Sequence, residues 1–234
     1  KTFSNLPMIA LTATATAEVE KDIINQLMMI NPFIAKGSFD RPNLTIRIDR
    51  KHDPVKQIKT FLNKHKDQPG IIYAATRKTV DAVYEDLENK GLKLGKYHAG
   101  MSDNERHEAL HNFIHDKTNL MVATVAFGMG INKPDIRFIL HHDMPKNIEQ
   151  YYQEIGRAGR DGLPAECLML YSSQDLIIYK HFTKDITNPV LRANLESKTE
   201  AIYQLCRSFK CRRFGLLRYF GEYYPHKECN SCDN

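Results

Sequence analysis

The sequence predicts an α/β protein, in which a doubly wound parallel sheet is followed by a small α-helical subdomain. Short β-type runs alternate with amphipathic helical segments from Leu44 to Tyr171. This alternation is typical of parallel strands joined by right-handed helical crossovers. It stops near Asp185, where Thr187-Asn188-Pro189 interrupts the chain ahead of one long segment with a helical apolar stripe. Three of the five cysteines lie close to the end of the sequence.

The first predicted elements are a strand and a helix. Leu6 to Leu11 is an apolar run without helical period, which predicts a buried strand. Acidic residues then open a segment whose apolar residues share one helical face before Pro32, which predicts a helix. The apolar residues of that face are Val19, Ile23, Ile24, Leu27 and Met28.

Six further strands and several helices follow, and the helices carry recognisable start signals. The predicted strands are Leu44 to Ile48, Gly70 to Ala75, Leu94 to His98, Leu120 to Val125, Arg137 to His142 and Cys167 to Tyr171. Asp53 and Thr76 are predicted N-caps, Ser102 with Glu105 is a predicted capping box, and Asn147 with Gln150 is similar to a second. The long helix after Pro189 is marked by Leu191, Leu195, Ile202, Leu205 and Phe209.

Composition excludes several protein classes. The chain has 234 residues, of which 42% are hydrophobic and 26% charged, and no fixed-period repeat, so it should fold around one ordinary core. No apolar run is long enough to span a bilayer and no secretory signal opens the sequence, so we expect a soluble, intracellular protein without a membrane partner. The formal net charge of +5 permits a polyanionic partner without requiring one. Basic and aromatic residues are concentrated between Lys198 and Arg218.

Two loops after predicted strands carry candidate chemistry, because ligands of open α/β sheets gather at the carboxyl ends of the strands. The loop Ala126 to Asp135 contains Gly130 and Asp135, which suit close approach to a phosphate and contact with ribose hydroxyls; a plain glycine turn is the alternative. Arg157 and Arg160 are spaced to share one helical face, as groups that stabilise a transferring phosphoryl group would be. A solvated basic helix end is the alternative for that pair.

Read in order, five segments resemble the C-terminal half of the motor of RecQ-family DNA helicases. These segments are Ala10 to Ala15, Ser38 to Leu44, Tyr97 to Met101, Val122 to Asp135 and Gln153 to Gly162. RNA helicases of the DEAD-box type usually carry His-Arg where this chain has Gln153-Glu154. A further stretch, Leu216 to Glu222 with the clustered cysteines behind it, resembles the zinc-binding subdomain of the same family.

The resemblance implies a motor of two RecA-like lobes that hydrolyses ATP with Mg²⁺ between them and moves 3′ to 5′ along single-stranded or forked DNA. On that pattern residues 1–37 are the last strand and helix of the first lobe with the hinge, 38–185 the second lobe, and 186–234 a truncated helical zinc-binding subdomain. A Gly-x-x-x-x-Gly-Lys-Ser/Thr phosphate loop is absent from the sequence, so this chain alone should not hydrolyse ATP.

The resemblance also implies roles for individual residues. Arg157 and Arg160 would reach the γ-phosphate, Arg160 as the arginine finger, with Gln153 supporting the same site. Gly130 and Asp135 would face the nucleotide, which the absent first lobe mainly holds.

On the DNA side, Thr76, Arg77 and Thr124 would hold phosphates with hydroxyls, a cation and helix-start amides. Thr76 alternatively only caps its helix. His98 either touches DNA or lies with its ring nitrogens satisfied beside the sheet, and the second reading is favoured.

The cysteine spacing predicts a zinc site formed by Cys211, Cys229 and Cys232. We expect a fourth Cys immediately beyond Asn234; within this chain water, Asp233, His226 or a disordered tail would have to serve. Three free thiols on a frayed end are the alternative to a zinc site. Cys167 and Cys206 are predicted to be buried core residues. The site requires the segment from Arg212 to Glu228 to fold back as a helical hairpin, with Phe214, Leu217 and Phe220 against the long helix.

Two other functions remain open on the sequence. One is a non-catalytic DNA-binding module that keeps a motor-like fold, against which the intact Arg157, Arg160 and Gln153 argue. The other is a motor that translocates without unwinding.

Overall fold

The computed structural model describes residues 6–128 and 131–234, and within them six strands alternate with eight helices. The strands are β1 (Leu44–Arg50), β2 (Gly70–Tyr73), β3 (Leu94–Tyr97), β4 (Leu120–Ala123), β5 (Phe138–His141) and β6 (Ala165–Tyr171). The helices are α1 (Ala17–Gln26), α2 (Pro54–Lys64), α3 (Arg77–Glu88), α4 (Asp103–Ile114), α5 (Ile148–Ile155), α6 (Ser173–Thr183), α7 (Pro189–Arg207) and α8 (Arg212–Tyr219).

All six strands form one parallel sheet in the order β1-β6-β5-β2-β4-β3. From β2 the chain goes first to β3 and β4 on one side of it and then to β5 and β6 on the other, which confirms the predicted doubly wound sheet. Both faces of the sheet are covered, as the continuous apolar runs of the central strands require. Ile71 packs into the core on one face and Ile72 into the core on the other, because neighbouring side chains of a strand point in opposite directions.

The two faces carry different helices. Helices α2 and α3 cover one face with Ile58, Phe61, Val80 and Leu87. Helices α4, α5, α7 and α8 contribute to the core on the other face, so α7 and α8 pack against the sheet and share its core.

The predicted N-caps are confirmed. The side chains of Asp53, Thr76, Ser102 and Asn147 each accept a backbone N–H from the first turn of their helix. Of these four, only Ser102 forms the complete reciprocal box, with Glu105. Gln150 does not reach back to Asn147, because its amide donates instead to the buried Glu154 carboxylate at 2.8 Å.

The N-terminal segment departs from the sequence prediction. Leu6 to Leu11 are exposed and form no strand, so the prediction of a buried strand there is wrong. A β-strand is stable only when a neighbour pairs with it, and none of the six described strands pairs with this segment. The predicted helix is present as α1, but none of its residues is buried.

The C-terminal helices also differ from the prediction. The segment that forms α6 was not predicted to be helical. Helix α7 ends at Arg207, so Phe209, which was predicted to lie on it, is in the loop that follows. The expected helical hairpin is half present: α8 ends at Tyr219, and Gly221, with φ +78°, turns the chain into an irregular segment. Leu217 and Phe220 are buried and Phe214 is half-buried. The ring of Phe220, expected against the long helix, packs on Phe39 and Tyr152, with centroids 4.6 and 4.9 Å away.

No helix in the described part of the chain is both long enough and apolar enough to cross a membrane.

Candidate functional site

The two candidate arginines lie in the turn after α5, not on a helical face. The helix ends at Ile155, and Gly159, with φ +55°, continues the turn in a left-handed conformation. Both guanidinium groups nevertheless point to the same loop. Nη1 of Arg157 donates to the carbonyl of Gly128, and Nη1 of Arg160 donates to the carbonyl of Ile131 at 2.9 Å. The structure therefore brings the arginine turn and the glycine loop together.

A third arginine, Arg41, stabilises the turn through hydrogen bonds to its backbone. Arg41 donates from Nη2 to the carbonyls of Ala158 and Gly159, at 3.0 Å each, and from Nη1 to that of Gly156 at 3.3 Å. Asn43 donates to the carbonyls of Gly159 and Leu163, at 2.9 Å each. Neither residue could be assigned an individual role from the sequence, because their partners lie more than a hundred positions away.

The three arginines form a cationic cluster. Their hydrogen bonds go to backbone carbonyls, and none of them forms an ion pair within the residues that the structure describes. Burial, together with the neighbouring Arg157 and Arg41, lowers the pKa of Arg160. An arginine remains charged even so. Such a cluster is stabilised by a bound anion.

Gln153 connects α5 with the N-terminal segment. Its Nε2 donates to Oγ1 of Thr14 at 2.7 Å, and Thr14 is buried. The structure thus joins two of the five segments that carry the family resemblance.

The two residues predicted to face a nucleotide are less well defined. Gly130 lies outside the described residues. Asp135 forms an ion pair with Lys133, whose Nζ is 3.2 Å from one carboxylate oxygen. The same Nζ also binds the Asp116 carboxylate at 2.6 Å. Burial alone would lower the pKa of Lys133, but its hydrogen bonds to Asp116 and Asp135 raise it.

The residues predicted to contact DNA lie at the carboxyl edge of the sheet. Thr76 caps α3 by accepting the N–H of Thr79 at 3.1 Å, and Arg77 begins that helix with an exposed side chain. Thr124 follows β4, is buried, and donates its N–H to the carbonyl of Tyr97 at 3.1 Å. The structure therefore places these three residues after adjacent strands.

His98 lies at the same edge with both ring nitrogens partnered. Its Nδ1 accepts the N–H of Gly100 at 3.1 Å, which leaves Nε2 to donate to Asp81 at 3.2 Å. The ring is 7% exposed. This geometry matches the favoured reading of His98 as a satisfied histidine beside the sheet.

The three predicted metal ligands meet. The sulfur atoms of Cys211, Cys229 and Cys232 all lie within 4.8 Å of one another, and those of Cys211 and Cys232 are 3.9 Å apart. Thiolates bound tetrahedrally to zinc at 2.3 Å are separated by about 3.8 Å, so the cluster fits zinc. Cys206 and Cys167 are buried outside the cluster, as predicted, and burial raises the pKa of Cys167 to about 12.

Neither substitute side chain for the fourth ligand is in the cluster. The Asp233 carboxylate is held by Arg212, with 2.8 Å between Nη2 and Oδ2 and 3.1 Å between Nε and Oδ1. His226 is exposed and outside the group of three thiols.

The segment 38–43 connects the cysteine cluster with the arginine turn. Arg213 forms an ion pair with Asp40 and donates to the Ser231 hydroxyl at 3.0 Å, beside the cysteines. The Phe39 ring stacks on Phe220 with centroids 4.6 Å apart. Arg41, in the same segment, supports the turn that carries the two candidate arginines.

The comparisons first define the class of protein. Residues 53–162 match the family described as helicase conserved C-terminal domain, and residues 173–234 match the family described as RecQ zinc-binding. The fold agrees. The structure of S. cerevisiae Dbp5 bound to RNA and ADP BeF3 superposes with a TM-score of 0.62 and 16% identity, over 80% of this chain and 54% of that one. The sheet is therefore of the RecA-like type.

Curated relatives then define the family. The chain is 42% identical to the ATP-dependent DNA helicase RecQ of Haemophilus influenzae and 39% identical to that of Bacillus subtilis, over 99% and 97% of its length. It is 40% identical to the RecQ-like DNA helicase BLM of Xenopus laevis over 94% of its length. It spans 37%, 38% and 17% of these three relatives. The chain belongs to the RecQ family.

Proposed function

We propose that this chain is the second motor lobe and the zinc-binding subdomain of an ATP-dependent DNA helicase that moves 3′ to 5′. The observation that carries the proposal is the convergence of Arg157 and Arg160 on the carbonyls of Gly128 and Ile131, in a cationic cluster that has no acidic partner among the described residues. A phosphoryl group in transfer carries negative charge that such guanidinium groups stabilise. The direction of movement rests on the family resemblance.

In this proposal Arg160 is the arginine finger, Arg157 assists it, and Gln153 joins the same site to Thr14. ATP with Mg²⁺ would be held mainly by a first RecA-like lobe, and Gly130 and Asp135 would face its edge. Because the sequence contains no phosphate loop, turnover requires that lobe.

Single-stranded DNA would cross the carboxyl edge of the sheet at Thr76, Arg77 and Thr124, with forked DNA as the substrate for unwinding. The exposed Arg77 supplies the cation, while Thr76 combines helix capping with a start-of-helix phosphate site. His98 is better placed to shape this edge, because its ring nitrogens are already partnered.

The division of the chain follows from this function. Residues 1–37 belong to the first lobe and hinge, 38–185 to the second lobe, and 186–234 to the zinc-binding subdomain. Cys211, Cys229 and Cys232 would bind Zn²⁺, with a fourth ligand from outside the cluster. The bound zinc would fix the end of the chain against α8 and, through Arg213, against segment 38–43.

The decisive experiment measures ATP turnover in the protein that carries both lobes. We expect Arg160→Ala to lower turnover by roughly 10³- to 10⁵-fold with nucleotide binding nearly intact, as for other arginine fingers. Arg157→Ala should also lower ATP turnover severely. Arg192→Ala is the matched control, because Arg192 lies on α7 and its one ion pair among the described residues is with Glu196 in the same helix, at 3.8 Å. DNA-stimulated turnover within about threefold of wild type for both site variants would refute the assignment.

A further inference from the structure

The basic, aromatic segment between Lys198 and Arg218 separates into two groups of cations. Three are used inside the protein: Lys198 pairs with Glu149 at 2.7 Å, and the buried Arg212 and Arg213 pair with Asp233 and Asp40. The other three, Arg207, Lys210 and Arg218, are exposed and form no ion pair within the part of the chain that the structure describes. Two of these three cations, Arg207 and Lys210, lie at the loop between α7 and α8, and Arg218 is in the last turn of α8.

Phe209 is at the centre of that loop, and the described residues leave its ring uncovered. Its side chain is 97% exposed, whereas Cys211, two residues later, is 5% exposed. The other aromatic residues of the segment, Tyr203 and Phe214, are half-buried, as is Tyr219 just beyond it. Phe209 thus projects into solvent between Arg207 and Lys210.

The loop holds this position through its backbone. The carbonyl of Ser208 accepts from Nη1 of Arg212 and from Nδ2 of Asn234, at 2.8 Å each. Asn234 also donates to the carbonyl of Lys210 at 2.8 Å, and the N–H of Lys210 donates to the Ser208 hydroxyl at 3.0 Å. The exposed ring is therefore carried by an ordered loop, so a ligand that binds it does not have to order the backbone.

We propose that the loop 207–210 is a contact site for single-stranded DNA, in which Phe209 stacks on a base while Arg207 and Lys210 bind the neighbouring phosphates. The inference rests on the proposed DNA helicase function and adds a contact outside Thr76, Arg77 and Thr124. Proteins that bind single strands without sequence preference combine these two features, an aromatic platform and flanking cations.

The surroundings of Phe209 favour nucleic acid over a protein partner. A protein interface has an apolar centre that is poor in charge. The residues on either side of Phe209 are a serine and a lysine, and Arg207 precedes them. Arg207 also lies over the Tyr203 ring, 5.8 Å from its centroid, which keeps the guanidinium at the base of the loop. An isolated aromatic ring among cations suits a polyanion that offers flat bases.

The test is equilibrium binding of a fluorescein-labelled oligo-dT probe by the protein that carries both lobes. We expect Phe209→Ala to weaken binding about tenfold, Phe209→Leu nearly as much, and Phe209→Trp to remain within about twofold, because stacking requires a ring. Tyr223→Ala is the matched control, since Tyr223 is 85% exposed in the same region without flanking cations. Lys210→Ala should reduce the slope of log affinity against log salt by about 0.7.

A position-specific measurement accompanies the affinities. A single-stranded oligonucleotide that contains 5-iododeoxyuridine should photo-crosslink to Phe209, identified by mass spectrometry of the peptide. Wild-type affinity in Phe209→Ala together with no crosslink at the loop would overturn this inference, even where Arg77→Ala still weakens binding. Full affinity in Phe209→Leu would also overturn it, because an apolar contact would then suffice. Absence of salt-dependent DNA binding by the wild-type protein would instead refute the proposed function.

Discussion

Gly128→Ala tests whether the position of Arg157 controls turnover. A Cβ on residue 128 would lie within 2.7 Å of Cζ of Arg157, whereas ordinary van der Waals contact begins at 3.4 Å. The guanidinium must therefore move by about 0.7 Å or more. It can do so at little cost in stability, because the overlapping atoms are the far end of a flexible side chain. The hydrogen bond from Nη1 to the carbonyl of Gly128 would be distorted as well.

A displacement of this size should lower turnover far more than it lowers stability. Misplacing a catalytic group by about 1 Å can reduce the rate roughly 10²-fold, which corresponds to about 2.7 kcal/mol of transition-state stabilisation. We expect a fall of that order in DNA-stimulated ATP turnover by the two-lobe protein, with the melting temperature within a few degrees of wild type.

Gly37→Ala provides the matched control. A Cβ at Gly37 would meet nothing within 4 Å, so the same substitution there adds a methyl group without displacing a neighbour. If Gly128→Ala retains more than about half of the wild-type turnover, the position of Arg157 does not control turnover. The same conclusion follows if Gly37→Ala is equally slow, because the effect would then not depend on Arg157.

Three further predictions follow from other contacts. Arg41→Ala should lower turnover more strongly than it weakens nucleotide binding, because it removes three hydrogen bonds to the arginine turn; equal losses in both would count against a positioning role. Zinc analysis of a longer protein should give about one ion per chain, lost in Cys229→Ser, and absence of stoichiometric zinc would reject the cluster. Burial alone would lower the pKa of His65, but hydrogen bonds to Glu166 and Gln68 raise it above 6.5. Its contribution to stability should therefore be complete below that value and disappear as the pH rises through the raised pKa. The difference in unfolding free energy between the wild type and His65→Gln should therefore be larger at about pH 5.5 than at about pH 8.5. A difference that does not change with pH would contradict this.

Much of the fold could be predicted because its signals are local. The apolar runs of the six strands of the sheet and the N-caps at Asp53, Thr76 and Ser102 depend on residues a few positions apart. The same local reasoning failed for Leu6 to Leu11, where apolar residues are present but no described strand pairs with them. It also extended the long helix to Phe209, although the chain becomes extended at Ser208.

The candidate site was likewise predictable where its signals are local and not where it depends on distant contacts. The sequence predicted the three cysteines of the cluster from spacing, and it predicted Arg157 and Arg160 as a pair. It could not predict that the pair lies in a turn, because that depends on Arg41 and Asn43, which precede β1 and bind a turn more than a hundred positions later in the chain.

By itself the sequence determined the fold class, the family and the residue types available for chemistry, because periodicity, caps and motif order are written along the chain. Only the tertiary structure decided which of those side chains are free to act. Arg212 and Arg213 are as basic in sequence as Arg207 and Lys210, yet the first two are buried against Asp233 and Asp40 and the others face solvent. The physical reason is that an ion pair or a hydrogen bond forms between neighbours in space, and those neighbours here are separated by 21 to 173 positions in the chain.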